Sequence, residues 1–377
     1  MAVDLDKIAS HYLALLTARR SRAILVPIIV IAVIFTLISI TDRAYQQPSI
    51  NIERASETED ITDWSKFAYI QYATSSEHLC NAVMLLQSLH HLKSRADRVL
   101  MYAAEMLPDP KDMDGGGSQE GELLVKVRDE YGVKLVPIQV QHGDTADDTR
   151  TDSYTKLLAF NQTQYERVIA IDSDTTLLKH VDELFHLPPC PIAMPRAYWL
   201  LGNDTTKETF ASHFLVIQPD KYEFDRVQRA MKLAAADEYD MELSNKLYHD
   251  TAAVLPHWPY TMLSSELCET NHTLYLGPDA KEWDPAVVMS QVGTIRFSDY
   301  PVPKPCKYWT ADDGQNFIRM EPKCEMKRRK HKNKEGGHDK EEDCSGRDAW
   351  RELYADFKAR KAVSHQLSSN SFRCVIL

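Results

Sequence analysis

The chain has 377 residues, 44% of them hydrophobic, enough for one large domain or two ordinary ones. Its formal net charge of −11, with no sustained basic surface, argues against a nucleic-acid binder. Six Trp and 17 Tyr suit stacking on sugars or bases, though most suit a core equally well.

Residues 23–41, "AILVPIIVIAVIFTLISIT", carry no charge. Nineteen apolar-rich residues nearly span a hydrocarbon core of about 30 Å. Arg19, Arg20 and Arg22 precede the run and Asp42 follows it, so positive-inside logic predicts a cytosolic tail (1–22) and a translocated remainder. No small-residue cleavage site follows, which favours an uncleaved anchor over a signal peptide. The shortness of the run suits a thin early-secretory membrane. Sequons at Asn161, Asn203 and Asn271 agree with that topology.

Residues 42–63 are polar and aperiodic and read as a stem. From Trp64 the pattern alternates. "KFAYIQYAT" is a strand, "LCNAVMLLQSLHHL" an amphipathic helix and "DRVLMYAA" a second strand. "DPKDMDGGGSQEG" is a loop, "LLVKVRDEYG" a helix stopped by Gly132, and "VKLVPIQV" a third strand. "SYTKLLAFNQTQY" is expected as a helix leading into "RVIAIDSDTTLL". Such alternation implies βαβ units and a mostly parallel sheet. After residue 320 a mixed-charge run, 321–347, reads as a solvated or disordered loop. Residues 348–377 read as a surface helix and tail, the helix carrying Trp350, Leu353, Tyr354 and Phe357 on one face. Seven cysteines are few for a disulfide framework; Cys324 and Cys344 flank the charged loop and can pair, while Cys80 sits in an apolar run that predicts burial.

The chemistry centres on Asp172 and Asp174. The aliphatics before them suit a strand buried on both faces, which places the carboxylates at its carboxyl end, where open α/β sheets bind ligands. Residues i and i+2 of an extended segment point the same way, so both can face one cation. Three chemistries use such a pair: a divalent cation with a nucleotide diphosphate, phosphoryl transfer through an aspartate nucleophile, or a bare Ca²⁺ site. The D-x-D-x-T of dehalogenase-type phosphatases is present as Asp172, Asp174 and Thr176. It follows roughly a hundred residues of α/β pattern rather than opening the domain, which counts against that reading. A plain turn is the remaining alternative.

"SYTKLLAFNQTQYERVIAIDSDTTLLKHVDELF" resembles the core of the glycogenin-like family 8 glycosyltransferases. "HLCNAVMLLQSLHHLKSRADRVLMY" and "DSYTKLLAFNQTQYERVIAIDSD" resemble, more narrowly, the fungal glucose N-acetyltransferase 1 group. The resemblance runs from about Trp64 to Trp309. It implies a GT-A fold over 64–320, a UDP-sugar donor (UDP-GlcNAc), Mn²⁺ or Mg²⁺, a glycan or glycoprotein acceptor, and transfer with retention in the Golgi lumen by a type II membrane protein. A glucosyl or other hexosyl donor, or a fold that has lost catalysis, are the alternatives.

By position, the resemblance assigns Asp172 and Asp174 to metal and donor, and Lys156 to the donor diphosphate or sugar. Tyr72, Ala73 and Thr74 fall where the base packs. Arg196, Ser212, Asp240 and Asn245 fall near the donor sugar. Near the domain's end the family pattern I-H-F-S, then K-P-W, reads here "TIRFSDYPVPKPCKYW". Arg296 therefore stands where a histidine ligates metal, and Cys306 stands where a tryptophan is usual. Lys304 is retained and is expected to reach the diphosphate. Arginine cannot ligate a cation but pairs well with phosphate, so Arg296 is expected to take over part of the metal's charge neutralisation. Asp299 is a candidate substitute ligand. The terminal Cys374-Val375-Ile376-Leu377 matches a prenylation box, but the topology places it in the lumen, where modification is not expected.

Overall fold

The computed structural model describes residues 63–143, 152–201, 208–277, 283–299, 302, 304, 311–332 and 338–362. The expected anchor at 23–41, most of the stem, Asn203, Cys306 and Cys374 lie outside them. Among the described residues no helix is long and apolar enough to cross a membrane.

Strands β1 (Phe67–Ala73), β2 (Asp97–Ala103), β3 (Val133–Ile138) and β4 (Arg167–Ile171) are mutually parallel. With β6 (Ile192–Pro195), β7 (Phe214–Ile217) and β8 (Ala253–Leu255) they form a seven-stranded sheet in the order β3-β2-β1-β4-β7-β6-β8. β7 runs against both of its neighbours and breaks an otherwise parallel sheet. β4 is buried along all five residues, which explains its unbroken aliphatic sequence.

The pleat divides the core between two faces. On β1, Tyr69 and Ala73 join one cluster with Leu79, Leu86 and Leu124, while Ala68 and Ile70 join the other with Phe160, Phe224 and Leu243. The first face is covered by helices α1 (Ser76–His91) and α2 (Gln119–Tyr131). Ser75 caps α1 by accepting a hydrogen bond from the His78 amide, and α2 ends as expected at Gly132 in the left-handed region, φ 62°. The second face carries α3 (Lys221–Lys232), α4 (Asp240–Tyr248) and the segment Ser153–Asn161. That segment, expected as a helix, is a nine-residue 3₁₀ run. Tyr154 to Phe160 are all buried, so packing rather than an amphipathic period sets its geometry.

A small sheet of β5 (Thr175–Leu177), β10 (Thr294–Arg296) and β9 (Thr261–Leu263) continues from the end of β4, with β10 central. Its register places Arg296 opposite Thr175, one residue past Asp174.

Among its described residues the charged segment, expected as a loop, carries two strands. β11 (Glu325–Lys332) and β12 (His338–Asp343) form an antiparallel hairpin closed by a Cys324–Cys344 disulfide, the pairing the flanking positions suggested. Cys80, buried as expected, is itself disulfide-bonded. The C-terminal helix does not merely lie on the surface. In α5 (Ser345–Ala362), Trp350, Leu353, Tyr354 and Phe357 are at most 4% exposed and share a cluster with Met262, Ile295 and Phe297.

Candidate active site

Asp172 and Asp174 follow the last residue of β4, as the aliphatic run predicts. The Asp172 amide donates to the His213 carbonyl at 3.0 Å, continuing the β4–β7 pairing by one rung. The Phe297 amide donates to the Asp174 carbonyl at 3.1 Å, tying the second aspartate to the end of β10. The pair is thus held from both sides by backbone.

The carboxylates sit in a charge-balanced cluster. Lys156, 1% exposed, places its Nζ 2.6 Å from Asp172 Oδ1 and 2.7 Å from Asp240 Oδ2. Arg296 bridges the pair, Nη2 lying 3.6 Å from Asp172 Oδ2 and Nε 3.4 Å from Asp174 Oδ1. Lys304 pairs with Asp174 Oδ2. Three carboxylates therefore face three cations.

Burial and pairing oppose each other at four of its members, Asp174, Asp240, Lys156 and Arg296. Burial pushes Asp174 up, but Lys304 and Arg296 outweigh it and hold the carboxyl well below its ordinary range. Asp240 behaves alike: burial raises it, and Lys156 together with a hydrogen bond from Ser212 carries it below the usual value. Burial lowers Lys156, yet Asp172 and Asp240 lift it above the ordinary lysine value. Burial likewise lowers Arg296, and Asp174 and Asp172 lift it. All of these groups are thereby kept ionised. Burial, then Asp172 and Asp240, pushes the Tyr72 hydroxyl well up, so it stays a neutral hydrogen-bond donor beside the acids.

The expected site residues divide. Asp172, Asp174, Lys156, Asp240, Ser212, Arg296 and Lys304 come together, and Tyr72 borders them. Thr74 pairs with His78 instead, its Oγ1 2.9 Å from His78 Nδ1. Three others serve the scaffold. The Ala73 side chain is fully buried in the core under α1 and offers a ligand at most its backbone. The Arg196 guanidinium is held by Glu208 rather than by the carboxylate pair. Asn245 clamps a neighbouring strand end: its Oδ1 accepts from the Phe210 amide at 2.8 Å, and its Nδ2 donates to the Phe210 carbonyl at 2.7 Å and the Met241 carbonyl at 2.8 Å. A side-chain amide so satisfied has little left for a sugar.

Asp299, the candidate substitute ligand, is engaged away from the carboxylate pair. It is 6% exposed and accepts from Ser264 Oγ and, at 2.8 Å, from Tyr354 Oη. Asp182, in the "DELF" stretch, is also structural: its Oδ1 accepts from Tyr69 Oη at 2.7 Å and Ser94 Oγ at 2.8 Å.

The chain is 47% identical over 300 residues to glucose N-acetyltransferase 1 of Gibberella zeae, a match covering 79% of this chain and 62% of that protein's length. It is 40% identical over 318 residues to glucose N-acetyltransferase 1 of Aspergillus fumigatus, covering 80% of this chain and 77% of the relative. The chain belongs to the glucose N-acetyltransferase 1 family. It spans under two thirds of the Gibberella relative's length. No family model matches it. Among solved structures, the galactosyltransferase LgtC in complex with donor and acceptor sugar analogues is 12% identical with a TM-score of 0.42, covering 67% of this chain and 94% of that one. The apo glycosyltransferase GlyE of Streptococcus pneumoniae is 12% identical with a TM-score of 0.45, covering 68% and 60%. Both are too distant to inform the site.

Two further residues of this family member touch the site without having been anticipated. His213, 2% exposed, has Nε2 2.9 Å from Thr261 Oγ1, while its Nδ1 is buried without a hydrogen-bond partner. Burial, followed by Arg296 and Lys156, holds its pKa well below the ordinary value, so the ring is neutral. Gln71 donates from Nε2 to the Ile171 carbonyl at 2.5 Å and fixes the end of β4. Neither carries a spacing signal; only the strand order brings them to the acids.

Proposed function

We propose that the chain is a retaining GT-A glycosyltransferase that moves N-acetylglucosamine from UDP-GlcNAc to a glycan acceptor. The observation that carries the reading is the balanced cluster at the end of β4, in a chain whose relatives bear the name glucose N-acetyltransferase 1. A nucleotide diphosphate brings excess negative charge into a site where cations already equal carboxylates. The partly exposed Arg296 and Lys304 can turn from Asp174 towards its oxygens, and a guanidinium meets phosphate through two parallel hydrogen bonds.

The residues present fit a hard divalent cation. Asp172 and Asp174 are adjacent oxygen donors, Asp174 kept ionised by its cations, and Mg²⁺-type sites commonly use one or two carboxylates with substrate phosphates. Asp172 and Asp174 would hold Mn²⁺ or Mg²⁺, which supplies positive charge beside the departing diphosphate. Arg296 stands between the two carboxylates and competes for them, so metal affinity is set low. Lys156 stays with Asp172 and Asp240 and holds them in place. Asp240, engaged by Lys156 and Ser212, is a poor nucleophile, which favours front-face substitution in which a diphosphate oxygen takes the acceptor's proton. Stabilising the leaving UDP is then the main catalytic lever.

The phosphatase alternative loses support, because Asp172 is tied to Lys156 and Thr176 accepts a hydrogen bond from Arg360 at 2.7 Å. We place the domain in the Golgi lumen behind the 23–41 anchor; Asn161 and Asn271 are exposed, as glycosylation there would require. UDP release by the full chain, across a panel of UDP-sugars with Mn²⁺, tests the reading. Preference for UDP-GlcNAc is expected. Preference for UDP-glucose would shift the donor, no turnover of any donor would mark a fold without catalysis, and hydrolysis of a chromogenic phosphate would restore the phosphatase.

A further inference from the structure

The donor-facing cluster is assembled on two short strands, β5 after Asp174 and β10 ending at Arg296. Three-residue strands cannot set their own position. The C-terminal helix α5 touches both. On the β5 side, Arg360 Nη2 donates to Thr176 Oγ1 at 2.7 Å and Nη1 donates to Ser88 Oγ of α1 at 3.3 Å. On the β10 side, Phe297 meets the rings of Tyr354 and Phe357 edge-on, each with centroids 5.0 Å apart. Tyr354 Oη donates to Asp299 Oδ2 at 2.8 Å, and Asp299 also accepts from Ser264, whose Oγ takes the Ser298 amide at 3.0 Å. The segment Arg296–Asp299 is thus pinned from the helix, and Phe297 is the residue whose amide holds the Asp174 carbonyl. The disulfide Cys324–Cys344 ends one residue before the helix begins.

We propose that α5 is a brace for the donor site, with Arg360 and Tyr354 as positioning residues that fix the distance between Asp174 and the Arg296–Lys304 cations. Neither touches the carboxylate pair; Arg360 acts through Thr176, and Tyr354 through Asp299. Donor recognition by paired charges depends on sub-ångström placement, so loosening either contact weakens UDP binding before it unfolds the protein. The inference rests on the donor assignment above.

The experiment compares the full-length wild-type chain with Arg360→Ala, Arg360→Lys and Tyr354→Phe. Hydrogen exchange is read at residues 294–299 and 172–178, and UDP affinity by calorimetry with Mn²⁺. The expected result is at least tenfold faster exchange of the Phe297 amide in Arg360→Ala and Tyr354→Phe. UDP affinity should fall three- to tenfold, the melting temperature should stay within a few degrees, and Arg360→Lys should recover part of both. Unchanged exchange overturns the brace. Faster exchange with wild-type UDP affinity overturns the positioning role and leaves α5 as scaffold. Failure of the wild-type chain to bind UDP overturns the donor assignment and the positioning role with it, and is read separately, before any variant.

Discussion

The two aspartates of one motif live in different surroundings. Asp172 belongs to a buried half of the site, where Lys156 joins it to Asp240 and side-chain exposures are 2%, 12% and 13%. Asp174 is itself as buried, at 14%, but it faces a more open half, where its partners Arg296 and Lys304 are 28% and 36% exposed. A buried ion pair is costly to break because it leaves an uncompensated charge, whereas a partly solvated one exchanges partners cheaply. The motif thus combines a fixed anchor with a replaceable contact. A donor can displace Arg296 and Lys304 without disturbing the fold, and it cannot displace Lys156.

The largest effect that tests this division is expected from Lys156→Met. Methionine fills the space but leaves Asp240 buried without its cation and Asp172 with only the more distant Arg296, and the loss is on the order of 3–5 kcal/mol. The pH dependence should change sign. In the wild type, Asp240 has a depressed pKa, so its contribution is present above the unfolded carboxylate value and is lost as pH falls through the folded one. In the variant Asp240 loses the cation that outweighs its burial, so its carboxyl is raised, the folded state binds more protons, and stability should rise as pH drops from 7 towards 5. Urea melts across that range check it. A variant as stable as wild type at pH 7 would show that the buried half is not an anchor.

Asp174→Asn probes the open half. Its partners reach solvent but its own side chain is only 14% exposed, so the loss of stability should be smaller than in Lys156→Met, on the order of 1–3 kcal/mol. Transfer should fall by about 10²–10³, because an amide keeps an oxygen but loses the charge that holds metal and cations. Transfer rates beside thermal melts decide it. Near-wild-type turnover would remove Asp174 from the donor site; a large loss of stability would erase the contrast with Asp172.

How much of this contrast was legible in sequence follows from its contacts. The strands and helices from Phe67 to Ile138 were, because periodicity and Gly132 are local signals. The emergence of Asp172 and Asp174 at the end of β4 was too, since a run buried on both faces has few places to end. The Cys324–Cys344 pairing followed from flanking positions. What sequence did not show rests on distant partners. Asp172, with which Lys156 pairs, lies sixteen residues on, and Arg360 and Thr176 are separated by 184. Asn245 looked like a sugar contact because amides suit sugars, but Phe210 had already claimed its polar atoms. The reversed direction of β7, which delivers His213 and Ser212 to the acids, leaves no mark on a four-residue apolar strand.

The finest test concerns Arg296, the residue spanning both halves. Its guanidinium lies between Asp172 Oδ2 and Asp174 Oδ1, so it neutralises both carboxylates and occupies the ground a bridging cation would take. Because Asp174 and Asp172 favour its charged form, it cannot yield by deprotonating and must move aside instead. Arg296→His should remove that competitor and add a neutral nitrogen donor. Mn²⁺, titrated by calorimetry with UDP present, is then expected to bind about tenfold more tightly, roughly 1.4 kcal/mol. UDP binding without metal should weaken at the same time, since a cation that pairs with phosphate has been lost. The two shifts must have opposite signs if Arg296 both stands in for the metal and excludes it. If both affinities fall together, Arg296 only maintains the shape of the site; if metal affinity is unmoved while Asp299→Ala abolishes it, the metal lies nearer Asp299 than the pair at the end of β4.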